Sequence, residues 1–122
     1  MQLDREPTTG VYIRSFRQGV LRLADRELTS PVILTATDVI TAWTPPPIAA
    51  MSIDDFTPAL EHRPELLLLG SGLRQLFPAP AVGMQIMRAG IGFEVMDTRA
   101  ACRTFNVLVG EGRRVMAALL LE

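Results

Sequence analysis

A chain of 122 residues with 48% hydrophobic and 20% charged residues has the size of one domain built around a single core. A formal net charge of −1 argues against the basic stripe of a nucleic-acid binder, and no apolar run approaches the ~20 residues of a membrane-spanning helix. One cysteine, Cys102, excludes an internal disulfide and fits a reducing compartment.

The N-terminus lacks the basic-then-apolar layout of a signal peptide, so the sequence predicts a soluble cytoplasmic protein whose residues 1–9 form a flexible segment. The first half then reads as β-structure. Val11–Phe16 alternates imperfectly and meets a turn-like pair, Gln18-Gly19. Val20–Leu23 alternates cleanly, and Asp25-Arg26-Glu27 makes a polar turn. Pro31 fits only the entry to a strand at Val32–Leu34, because proline cannot donate to an interior ladder. Val39–Trp43 is a further short strand, stopped by the stiff connector Pro45-Pro46-Pro47. Ser52-Ile53-Asp54-Asp55 has a hydroxyl and two carboxylates where a helix begins. Pro58 belongs in that helix's first turn and Pro64 closes it.

From residue 66 the pattern changes. Leu66–Leu69 is apolar on both faces, as in a central strand covered on each side. Pro80 opens a helix that Gly90 ends, Ile91–Met96 is a second central strand, and a long helix from Thr98 stops at Gly112. Residues 114–121 form a last strand. This βαβαβ order demands parallel neighbours joined by crossovers. The fold class is therefore α/β, a mixed central sheet with helices and a small additional β layer from the N-terminal half.

Two strands end in polar turns, Gly70-Ser71-Gly72 and Asp97-Thr98-Arg99. If the strands are parallel neighbours, both turns share one carboxyl edge, where α/β sheets bind ligands. Gly70, Ser71, Gly72, Arg74, Asp97, Thr98, Arg99 and Arg103 are the ligand-binding candidates. A dinucleotide site is disfavoured, because Gln75 stands where a third glycine belongs and Pro78 and Pro80 delay the next helix. The chain has no lysine, hence no phosphate loop of the Gly-Lys-Ser/Thr type.

On the long helix, Ala101, Cys102, Phe105, Leu108 and Val109 share the face to be buried. Arg99, Arg103 and Asn106 share another. The two arginines either grip an anion or pair with carboxylates such as Glu94 or Glu111. Cys102 has no histidine or lysine beside it to lower its pKa, and the lone His62 has no partners for a triad or a zinc site. No catalytic set, metal site or cofactor is indicated.

The block Leu66–Gly72, Phe77-Pro78, Gly90–Thr98 and Ala101–Leu108, with Glu111-Gly112-Arg113, resembles the domain-of-unknown-function family that includes mitochondrial complex I assembly factor 3 and the adipogenesis-associated domain proteins. The resemblance is strong over residues 64–121 and looser before them. It implies a three-layer α/β domain, no established enzymatic activity, and partner proteins that include respiratory complex components. The apolar surplus of so short a chain predicts a surface patch covered by such a partner or by a second copy in a homodimer. The sequence therefore predicts a protein-interaction or assembly factor, with a small-molecule or anion-binding domain, conceivably an enzyme, as the alternative.

Overall fold

The computed structural model describes residues 10–122, so the flexible segment expected over residues 1–9 lies outside the described residues. Strands β1 (Ile13–Arg17) and β2 (Val20–Leu23) form a hairpin around Gln18-Gly19, both at positive φ, 52° and 77°. That conformation gives a two-residue turn the twist of the strands it joins. The small sheet is completed by β3 (Glu27–Leu28). Glu27, expected in a turn, is thus the first residue of a strand. It lies opposite Arg22 and forms an ion pair with it, a cross-strand pairing that favours the extended backbone.

The imperfect alternation of β1 has a structural cause. Ile13 pairs with Leu23 and Ser15 with Arg22, leaving Arg14 as an extra, bulged residue. The bulge resets the parity of the strand. Ile13 and Phe16, three apart, both face the core, and Arg14 and Arg17 both face outward.

The second sheet has five strands in the order β5 (Val39–Ile40), β4 (Val32–Leu34), β8 (Val115–Leu119), β6 (Leu66–Gly70), β7 (Gly92–Met96). β6 runs parallel to β7 and to β8, whereas β4 is antiparallel to β8 and to β5, which makes the sheet mixed. Helices α2 (Pro80–Arg88) and α3 (Thr98–Gly110) supply the crossovers between the parallel strands. The strand expected to reach Trp43 stops at Ile40, because Trp43 turns into the core. Its indole N–H donates to the Asp55 carbonyl at 2.7 Å, satisfying the one polar atom it buries.

Between those elements, Pro45–Pro47 has no regular structure. The helix expected at Ser52 starts as a 3-10 turn, Ile53–Phe56, and passes into the single α-turn α1 (Thr57–Leu60) with Pro58 at its start. The Asp55 carboxylate accepts the Ser52 backbone N–H at 2.8 Å, so this acid serves the helix start.

The period-2 alternation of the strands separates two cores. Val32, Leu34, Leu68, Val115, Ala117 and Leu119 face α3 and the small sheet, where Phe105, Phe16 and Leu21 are buried. Ile33, Leu67, Leu69, Met116 and Ala118 face the other side, against Val82 and Ile86 of α2 and against Trp43, Phe56 and Ala59. Burial on both faces explains the continuous apolar runs of β6 and β8, whereas β7, expected as a second central strand, lies at the sheet edge and is only half-buried. The result is three layers around a mixed sheet.

Candidate functional site

β6 and β7 pair in parallel with Gly70 opposite Met96, so the turns after them emerge side by side. The polar atoms gathered at that junction bond to one another and to the last residues of the chain. The Thr98 backbone N–H donates to the Gly72 carbonyl at 2.9 Å, while the Thr98 hydroxyl accepts the Gly72 N–H at 2.8 Å. The same hydroxyl donates to the Leu120 carbonyl at 2.5 Å. Ser71 donates its N–H to Met96 and its hydroxyl to the Arg74 carbonyl, and that hydroxyl accepts the Leu76 N–H. Asp97 accepts the Ala100 N–H at 2.9 Å, an N-cap of α3. Gln75, standing where a third glycine was sought, donates its side-chain amide to the Val95 carbonyl.

The glycines are held as tightly. A Cβ on Gly70 would stand 2.8 Å from the Thr98 hydroxyl and from Leu119 Cδ2. Gly72 has φ +105°, and a Cβ there would stand 1.9 Å from the carbonyl oxygen of Glu122. Thr98 is fully buried and Ser71 nearly so. Gly70, Ser71, Gly72, Asp97 and Thr98 thus form a latch that fastens the C-terminal strand to two neighbouring turns. Arg74 is exposed on the loop beyond it.

Arg99 and Arg103 lie elsewhere. They line a cleft of about 370 Å³ between α3 and β1, opposite Arg14 and Arg17. Sequence reasoning missed the β1 wall. Its signal was the three-residue spacing of Ile13 and Phe16, which marks the bulge that turns both arginines outward. Among the described residues the ion pairs are Arg22–Glu27, Arg26–Asp25 and Arg113–Glu65. Glu94 and Glu111, considered as partners for Arg99 and Arg103, are not among them. Asn106, on the same helix, is bound to the small sheet. Its side-chain oxygen accepts the Ile13 N–H at 3.0 Å and its amide donates to the Ile13 carbonyl at 2.8 Å. This side chain completes the edge of β1 as a neighbouring strand would.

Cys102 lies at the floor of the cleft, 5% exposed. Burial pushes its thiol from 9.0 up to about 12, against the smaller opposing effect of Arg103, with Asp97 adding to the rise. At neutral pH it is a protonated thiol and a poor nucleophile. His62 sits beside the Pro58 carbonyl at 3.0 Å. No group of three or more His, Cys, Asp or Glu suited to a metal ion occurs among the described residues.

The chain is 31% identical over 111 residues, 90% of each protein, to the "13 kDa major membrane protein" of Francisella tularensis subsp. holarctica (strain LVS). No helix among the described residues of the present chain is long and apolar enough to cross a membrane. It is 32% identical over 120 residues to the human NADH dehydrogenase (ubiquinone) 1 alpha subcomplex assembly factor 3, spanning 97% of this chain but 65% of the human protein. A crystal structure of a Bordetella parapertussis protein superimposes with a TM-score of 0.86 at 29% identity, covering 96% of this chain and all of the other. Residues 13–120 match the family described as "Protein of unknown function (DUF498/DUF598)", and the chain belongs to that family.

Proposed function

We propose that the chain is a non-enzymatic interaction factor that acts from the cytoplasm in assembling a respiratory membrane complex through its protein partners. One observation carries this reading. The polar turns at the strand ends are spent on the fold's own hydrogen bonds, while a group of large apolar side chains is left in solvent. Leu73, Leu76 and Phe77 on the loop after β6, with Met84 and Met87 on α2, are between 43% and 68% exposed. Val82 and Ile86 anchor the inner face of α2, so the two methionines are directed away from the core. Exposed apolar side chains are surface that a partner can cover, and methionine adapts to irregular partners. The human relative bears the name of an assembly factor, which supports the same reading.

The test is made in the organism that carries the gene. Deletion should lower the amount of assembled complex I on native gels, and the unaltered gene should restore it. Phe77→Asp with Met84→Asp, a pair of solvent-facing changes, should leave the fold intact by circular dichroism and fail to restore assembly. Unchanged complex I in the deletion strain would refute the proposal.

A further inference from the structure

We propose that the cleft between β1 and α3 binds a small polyanion carrying two or more phosphate groups. The site is distinct from the apolar surface invoked above and does not depend on that reading.

Charge segregation is the first observation. The chain carries 12 cationic side chains, all arginine, against 13 acidic ones. Four of the arginines, Arg14, Arg17, Arg99 and Arg103, line this one cleft, and among the described residues no carboxylate lines it. Asp97, at the start of α3, accepts the Ala100 N–H as the helix cap. Arginines on both walls of one concavity concentrate positive charge there, which an anion offsets.

The second observation is how the arginines are held. Arg99 and Arg103 are one helical turn apart on α3, so both forks leave the same side. Arg14 and Arg17 face outward together only because the bulge in β1 resets its parity. The two walls are tied to each other by the paired hydrogen bonds of Asn106 to Ile13. The spacing between the walls is therefore fixed before any ligand arrives, which reduces the ordering cost of binding.

The third observation is size and floor. About 370 Å³ lies within the range of small-molecule sites. Ile13, Phe16 and Cys102 form an apolar floor beneath the arginines. Guanidinium forks on two sides suit a compact group presenting several oxyanions, each able to accept bidentate bonds. A phosphorylated metabolite and a lipid headgroup share that chemistry.

Sodium pyrophosphate serves as the soluble probe, followed by calorimetric titration and thermal unfolding at constant ionic strength. Phosphatidylcholine vesicles containing cardiolipin, whose headgroup carries two phosphates, serve as the headgroup probe, followed by co-sedimentation. Pyrophosphate should bind and raise the melting temperature. Arg99→Gln with Arg103→Gln should weaken binding on the order of tenfold or more. Arg14→Gln with Arg17→Gln, on the opposite wall, should do the same. The distant pair Arg63→Gln with Arg88→Gln should bind as the unaltered chain does. Vesicle binding without pyrophosphate binding, lost in the same cleft variants, would assign the phosphate to a headgroup. Binding of neither probe, or equal weakening by the cleft and distant variants, would overturn the site.

Discussion

Thr98→Val replaces the hydroxyl at the centre of the C-terminal latch with a methyl group of nearly the same shape. The side chain is fully buried, so the substitution neither exposes apolar surface nor opens a large cavity. What it removes is a partner for two backbone groups. The Gly72 N–H loses its acceptor at 2.8 Å in a buried environment, and the Leu120 carbonyl loses its donor at 2.5 Å in a half-buried one. Leaving a buried group unsatisfied costs roughly 1–3 kcal/mol, and a partly hydrated carbonyl costs less. The sum is about 2–4 kcal/mol, a substantial part of the 5–15 kcal/mol that typically holds a domain folded. Thr98→Ser keeps the hydroxyl and loses one methyl group, which should cost only about 1 kcal/mol. Urea unfolding monitored by far-ultraviolet circular dichroism measures both. The valine variant should be the less stable of the pair by about 1–3 kcal/mol, with accelerated amide exchange at Gly72 and along residues 120–122. A valine variant as stable as the serine variant would show that the latch does not depend on that hydroxyl, and the reasoning would fail.

Two further outcomes follow from the other wall of the molecule. Asn106→Ala should destabilise the chain by about 1–3 kcal/mol and speed exchange of the Ile13 amide, because both polar groups of that residue lose their partner; native-state hydrogen exchange measures it, and an unchanged Ile13 amide would refute the edge-completing role. Cys102 should resist alkylation at neutral pH, its rate in the native protein still climbing well above pH 9, since burial holds the thiol up at about 12. The sign of the linked stability follows from that rise. A folded-state pKa above the unfolded one favours the protonated thiol, so its contribution is complete below about pH 9 and is lost as the pH climbs toward about 12. Denaturant titrations across that range should show a decline for the unaltered chain that is shallower in Cys102→Ala.

Much of this architecture was legible in the residues alone. Apolar runs such as Leu66–Leu69 and the glycines that end α2 and α3 are local signals. They act within one turn or one strand, so sequence suffices to place them. The order strand, helix, strand, helix, strand forces parallel neighbours, and with them the adjacency of the turns after Gly70 and Met96. Tertiary structure decided the use made of those turns. The C-terminal residues 120–122 arrive from far along the chain and take up the hydrogen bonds that a ligand would otherwise have met. It decided also that Arg99 and Arg103 would face Arg14 and Arg17, across more than eighty residues of sequence. Periodicity records which face of an element is buried, but the partner opposite that face is set by long-range packing. In β1 a single bulged residue was enough to change which side chains that partner meets.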